Sequence, residues 1–305
     1  QTHLYPRKGT MTPRARAVFI TGFLLPATAL YAVFVVMPVV QAFAFSLYRW
    51  RGISANRTFI GLENFRHLFA DPIVWMALRH NLLLFLGTSV AILVLSLALA
   101  HAIGSDSRAA RLLRSVYLFP QVISLVVVAI LWMFILNPSF GILNAALKAV
   151  GLERWAIAWL GEKSTALASI GVAHVWHALG FYIMLFAAAL RTIPPDVIEA
   201  ATLDGATGLT RLRYVTLPML WAVLRIALVY MAIGTMNIFS LVFLMTQGGP
   251  DRATEVMLTY LYEQAFKHSE FGYATALAVV NFVLVMALSG TILALFRHNP
   301  QEGKA

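Results

Sequence analysis

The sequence contains no cysteine, and charge is scarce: Asp, Glu, Lys and Arg together make up 12% of its 305 residues. The first absence excludes disulfides and thiol chemistry. The second excludes an ordinary soluble domain, in which about 25% of residues are charged and about 45–50% apolar. Here 60% are hydrophobic, and a chain of this size could not cover itself with so little polar surface. Acids are rarer than bases, 13 against 23, for a formal net charge of +10. The bases sit at the ends of apolar runs, where membrane proteins place them, so no nucleic-acid partner is read from the excess. Catalytic signatures are missing as well. There is no Gly-x-Ser-x-Gly elbow, no His-Glu-x-x-His pair and no Gly-Lys-Ser/Thr phosphate loop. The chain is therefore read as a non-enzyme with no catalytic and no metal-binding residues.

What is present is a set of long uncharged runs. None of the four charged residue types occurs between Arg16 and Arg49, Arg114 and Lys148, Lys163 and Arg191, or Glu270 and Arg297. A helix of about 20 apolar residues crosses the hydrocarbon core of a bilayer, and each run exceeds that. The pattern predicts an all-α polytopic membrane protein with six transmembrane helices: within 17–48, then about 81–100, 115–136, 166–190, 220–245 and 273–296. The fifth is the least regular, because Arg225 falls inside it. The first run is too long for a signal peptide and reads as a retained anchor. The expected organisation is a cytoplasmic tail over 1–16, a six-helix transmembrane body over 17–297 and a cytoplasmic tail over 298–305.

Basic residues orient the bundle. With both termini in the cytoplasm, the inner segments, including a loop with Arg108, Arg111 and Arg114, hold twelve Lys/Arg and the outer ones nine. Trp50, Trp75, Trp155 and Trp159 lie near the outer boundaries, as an interfacial aromatic belt would place them. One inner segment, 191–219, is long and reads as one or two short helices. Pro194 and Pro195 suit a first helical turn, Asp196 and Glu199 are read as first-turn acids that complement its dipole, and Gly205 and Gly208 interrupt it.

That segment carries a motif. Glu199-Ala200-Ala201, Gly205 after three further residues, Val215 and Leu217-Pro218 resemble the cytoplasmic loop of permease subunits in bacterial ATP-binding-cassette (ABC) importers, and Asp204-Gly205-Ala206 fits within it. Ile193-Pro194, Thr246-Gln247-Gly248-Gly249-Pro250, Gly61-Leu62-Glu63-Asn64-Phe65, Asn81, Trp176 and Gly180-Phe181 extend the likeness along nearly the whole chain. The subgroup it most resembles is the maltose-transporter-like sugar permeases, the first of the two permease subunits. Ala222 stands where relatives often carry proline. The resemblance implies the type I importer permease fold, residence in the bacterial cytoplasmic (inner) membrane, and a coupling role for Glu199, Ala200, Ala201, Asp204, Gly205, Leu217 and Pro218. It also implies partners: a second, homologous permease, two ATPase subunits that carry Mg-ATP, an extracytoplasmic solute-binding protein and membrane lipid. No cofactor is expected on this chain.

Polar residues inside spans are costly and tend to face the bundle interior. By resemblance, the solute pathway lies between the span before the coupling loop and the span after it. The positions expected to line it are His174, His177, Phe181, Tyr182, Thr235, Asn237 and Ile238. Each polar one could equally make a helix–helix hydrogen bond. A di- or oligosaccharide is the expected solute, with a sugar alcohol or glycerol phosphate as the alternative. An ion-coupled secondary transporter would bury charge at mid-membrane, and a membrane enzyme would cluster acids or histidines at one face. The sequence offers essentially no such buried charge and no acid beside His174 or His177.

Overall fold

The computed structural model describes residues 12–52, 56–103 and 116–297. The expected loop with Arg108, Arg111 and Arg114, the tail with Arg7 and Lys8, the start of the third span at Ser115 and the 298–305 tail lie outside the described residues. The chain opens with α1, Pro13–Tyr31, which runs through a π-helical turn, Ala32–Val36, into α2, Met37–Phe45. The proline two positions beyond that turn accounts for it. Pro38 has no N–H to give the regular ladder, and Met37 N–H reaches back five residues to the Ala32 carbonyl. This first helix is apolar all round and none of its hydrophobic window is buried. It touches the rest of the molecule through α2, where Phe43 meets Phe282 edge-on.

A two-residue ribbon follows, β1 (Tyr48–Arg49) antiparallel to β2 (Thr58–Phe59), then α3, Glu63–Ala70. Asn64 ties helix to ribbon by donating to the carbonyls of Ser46 (2.7 Å) and Tyr48 (3.0 Å). Next comes α4, Pro72–Ile103, longer than the expected 81–100 at its N-terminal end. Pro72 opens it, and the Asp71 carboxylate accepts from Ile73 N–H at 2.9 Å, an N-terminal cap.

The third span is where the structure departs most from the sequence reading. Instead of one straight helix over 115–136 it is a bent pair, α5 (Val116–Val122) and α6 (Leu125–Ile135), at 115° to each other. Ser124 starts the second piece, its side chain accepting from Val126 N–H. Among the described residues, five helices are long and apolar enough to cross a membrane, and six if this bent pair counts as one span. After α7, Ile142–Ala149, and a 3-10 turn, Glu153–Trp155, the long α8 runs over Ala166–Leu190. It lies along α4 as the most extensive helix pair in the molecule. Where α8 crosses α5, Gly180 leaves no room for a side chain: a Cβ there would collide with the Tyr117 carbonyl oxygen. Small residues let helices in membranes approach this closely.

The 191–219 segment folds as α9 (Pro195–Leu203), α10 (Gly208–Arg211), a π turn (Leu212–Thr216) and α11 (Leu217–Met219). Then come α12 (Trp221–Met236), α13 (Ser240–Met245), α14 (Met257–Tyr262), a third π turn (Glu263–Lys267) and α15 (Phe271–Leu295). The core divides by depth. Phe85, Phe186, Leu220 and Met231 fill one level between α4, α8 and α12. Val128, Ile170 and Leu241 fill another between α6, α8 and α13. Leu68, Met257 and Leu277 fill a third between α3, α14 and α15.

The fifth span is interrupted between α12 and α13, which strands backbone groups at a depth without water to take them. Asn81 of α4, fully buried, satisfies them. Its Nδ2 donates to the Thr235 carbonyl at 3.0 Å and lies 3.4 Å from that of Met236. Its Oδ1 accepts from the N–H of Met257, the first residue of α14, at 2.9 Å. One carboxamide thus closes one helix end and opens another. Helix ends need such partners, and unsatisfied groups away from water each cost about 1–3 kcal/mol.

Asn81→Leu is therefore expected to destabilise the chain by about 2–5 kcal/mol, since it orphans the Met257 N–H and the Met236 carbonyl and removes one of the partners of the Thr235 carbonyl. Thermal unfolding of the detergent-solubilised protein checks this, and an unchanged midpoint would refute it. Gly180→Leu is expected to push α5 off α8, read as faster proteolysis near Tyr117 than in the parent.

Candidate functional site

Two regions gather the residues singled out from sequence: the short helices between α8 and α12, and the facing surfaces of α8 and α12 near the fifth-span break. In the first, Pro194 is extended (ψ 136°) and Pro195 is the first residue of α9. Asp196 occupies the first turn. Glu199 does not: it sits a turn further on, exposed in mid-helix, so its charge does not serve the helix start. Ala201 is buried against the bundle while Ala200 faces out. The helix stops at Asp204, and Gly205 takes φ +78°. Gly205 N–H donates to Thr202 (3.1 Å) and Ala206 N–H to Ala201 (2.8 Å). That pair of bonds is the Schellman ending, whose left-handed position favours glycine. Nothing lies within 4 Å of where a Gly205 side chain would start, so its backbone conformation, not crowding within this chain, demands glycine.

The exit from the loop repeats the device seen at Pro38. Leu217 N–H reaches back five residues to the Leu212 carbonyl, and Pro218 follows immediately. Leu217 packs on the core and Leu220 is buried, which anchors the return into the bundle. Between these anchors the loop presents large apolar side chains: Leu203 is 89% exposed, Leu209 78% and Tyr214 67%. Beside them lies a shallow hollow of about 430 Å³ lined by Asp196, Ala200, Asp204 and Val215. A small helix anchored at both ends, with exposed apolar side chains and a hollow, can pass force to or from a docked partner as a rigid piece.

In the second region the expected lining residues separate. Phe181 is half-exposed, T-shaped to the buried Tyr182 (5.1 Å) and 6.4 Å from Tyr230 of α12. Asn237 is exposed. Its Nδ2 donates to Ile233 O at 2.9 Å, and its Oδ1 accepts from Asn281 of α15 at 3.2 Å. Thr235 is fully buried and its hydroxyl has no partner. His174 is half-buried. His177 faces the Ile123 backbone, at the α5–α6 break. Ile238 is buried in the cluster with Ala173 and Leu241. The structure therefore brings Phe181 and Tyr182 together with Tyr230, and Asn237 with Asn281. It spends His177 on a broken helix and Ile238 on packing. Tyr230 was not singled out from sequence. Its spacing from Asn237, seven residues on one helical face, was the available signal. Arg225, placed near a span end by the sequence, is half-buried one turn into α12, with its Nε unpartnered.

At the opposite end of the bundle the Thr246–Pro250 motif forms a tight knot. Gln247, Gly248, Asp251 and Arg252 all have positive φ. A Cβ on Gly248 would come within 2.7 Å of the Glu255 carboxylate. Arg252 donates to Glu263 at 2.8 and 3.0 Å and to Glu255 at 3.0 Å. The hydrogen bond from Arg252 holds the Glu263 carboxyl below its usual range, whereas burial pushes Glu255 up. Lys163 reaches Asp251 from the segment before α8. Tyr260 and Tyr273 both donate to Asp71 Oδ2, at 2.5 and 2.9 Å, in the wall of a polar cleft of about 850 Å³.

Comparison with known proteins places this architecture. The chain is 36% identical to the probable ABC transporter permease protein YurN of Bacillus subtilis, over 92% of this chain and 96% of that one. It is 33% identical to the diacetylchitobiose uptake system permease protein NgcF of Streptomyces coelicolor, over 96% and 86% of the two chains. The trehalose/maltose transport system permease protein MalF of Thermococcus litoralis is 29% identical over 90% and 92%. The fold of the present chain matches a chain in the crystal structure of a bacterial ABC transporter involved in the import of alginate, with a TM-score of 0.79 and 23% identity, over 92% of this chain and 96% of that one. Residues 92–297 match the family described as the binding-protein-dependent transport system inner membrane component. That stretch runs from within α4 to the end of α15 and takes in both regions described above, so the chain belongs to this family of ABC transporter permeases.

Proposed function

We propose that this chain is one transmembrane subunit of an ATP-driven importer that moves a carbohydrate, a di- or oligosaccharide, from an extracytoplasmic binding protein into the cytoplasm. The observation that carries the reading is the α9–α11 segment: rigid, pinned at both ends, and exposing Leu203, Leu209 and Tyr214. Exposed apolar groups of this size mark a docking surface, and a paired ATPase subunit is the partner that could supply force there. Mg-ATP then belongs to the two ATPase subunits. Glu199, Ala200, Ala201, Asp204, Gly205, Leu217 and Pro218 make up the coupling element. Two relatives named for sugars, and the polar and aromatic side chains on the α8 and α12 surfaces, support a carbohydrate as the solute.

A second, homologous permease and membrane lipid are the partners proposed for the unburied first helix, whose apolar surface suits both. The Gly-Gly-Pro knot and the polar cleft form the extracytoplasmic side, and both termini lie in the cytoplasm. A glycerol phosphate is the weaker alternative. It calls for cations in the pathway, and Arg225 is remote from Asn237, twelve residues along the same helix.

Two experiments on the reconstituted assembly test the reading. Gly205→Leu forces an L-residue into the left-handed region, at about 1–2 kcal/mol, and deforms the end of α9 while leaving the spans intact. Uptake is expected to fall at least about tenfold with ATP hydrolysis retained; normal uptake would contradict the coupling role. Leu203→Asp with Leu209→Asp is expected to release the ATPase subunits on purification without altering thermal stability, because both side chains are exposed. Undiminished co-purification would count against the docking surface.

A further inference from the structure

Asn237 is exposed on the α12 face that also carries Tyr230, yet its carboxamide is not free to turn. Two hydrogen bonds from different elements set its plane. The Ile233 carbonyl can only accept, so it must take an N–H from Nδ2, at 2.9 Å. That leaves Oδ1 toward α15, where it accepts from Asn281 Nδ2 at 3.2 Å. The chain of donors and acceptors therefore fixes both amide orientations without ambiguity. Asn281 itself is 3% exposed, and its own Oδ1 has no partner. Buried polar atoms nearly always have one. Packing alone does not account for an asparagine here, because an apolar side chain of similar size would avoid the orphaned oxygen.

We propose that Asn281 is a positioning residue for the solute, acting through Asn237. A primary amide has two N–H bonds and two carbonyl lone pairs. Asn237 uses one of each on Ile233 and Asn281, which leaves one N–H and one lone pair at its exposed end. Each hydroxyl of a sugar both donates and accepts, so two neighbouring hydroxyls match that edge. An unclamped amide turns out of that orientation, and the solute then loses a hydrogen bond worth about 0.5–1.5 kcal/mol. Asn281 removes that freedom from behind, out of reach of the solute. The assignment rests on the carbohydrate reading and gives it a specific hydrogen-bonding edge.

Asn281→Leu tests it, since leucine approximates the volume and deletes the orphan along with the clamp. The full assembly in proteoliposomes, with saturating solute-loaded binding protein, is assayed with maltose, trehalose and diacetylchitobiose. N281L is expected to lower uptake of the transported sugar about tenfold, the upper end for one lost hydrogen bond, with an equal or higher unfolding temperature. It is also expected to narrow the discrimination between that sugar and its singly deoxygenated analogues, for which the unchanged binding protein serves as the internal control. In an Asn237→Ala background N281L should have no further effect on uptake, the non-additivity of residues that act in series. A lowered unfolding temperature, or the same loss in both backgrounds, would make Asn281 merely structural and overturn the proposal. Unchanged uptake in an assembly that carries sugar would overturn it alone. Wild-type uptake of none of the three sugars would overturn the carbohydrate reading beneath it.

Discussion

A polypeptide that breaks a helix away from water must find another partner for every backbone group it frees, and in this molecule Asn81 is that partner. Without it, stopping the fifth span at Met236 and restarting at Ser240 would cost the Met236 carbonyl and the Met257 N–H their Asn81 partner and leave the Thr235 carbonyl with backbone N–H groups alone. Much follows from the interruption. It turns Asn237 outward to be clamped by Asn281. It redirects the chain so that α14 begins at the same depth, on the other side of the same amide. The Gly-Gly-Pro knot then links the two halves, with Arg252 gathering Glu255 and Glu263 beneath it. Irregular backbone inside a membrane protein is tolerated where protein or a water-lined cavity surrounds it, and here protein supplies that surrounding side by side with the candidate solute surface.

The inner loop obeys a different constraint, stiffness. Its two motif glycine and proline positions each end a regular hydrogen-bond ladder in a defined way. At Gly205 α9 closes with two bonds, Gly205 N–H to the Thr202 carbonyl and Ala206 N–H to that of Ala201. Pro218 converts the ladder before it into a π turn, as Pro38 does in the first span. A loop built this way has few soft torsions between its anchors at Ile193 and Leu220, both buried. The same construction that shapes it also leaves Leu203 and Leu209 uncovered, which suits a surface completed by another subunit.

The spans, the all-helical class and the helical character of 191–219 were legible in the sequence because charge depletion and proline or glycine punctuation are local signals. The bend in the third span was not. Pro120 lies at its start, but the 115° turn depends on α8, whose Gly180 admits the α5 backbone and whose His177 serves the break at Ile123. The candidate solute residues were legible as polar positions, yet their division into pathway and scaffold was not. His177 and Ile238 are used internally, while Asn237 and Phe181 remain open, and only the tertiary pairing decides which. Asn81 showed itself as part of a family likeness. Its physical reason, a carboxamide shared by two helix ends, needed residues more than 150 positions away.

The absence of cysteine makes the central claim directly measurable. A Leu203→Cys variant carries a single thiol at the exposed end of α9, and a membrane-impermeant maleimide reports which side it faces. Labelling is expected in inside-out vesicles stripped of ATPase subunits, with protection when those subunits are restored and no labelling from outside intact cells. Labelling from the outside, or labelling indifferent to the ATPase subunits, would contradict the claim.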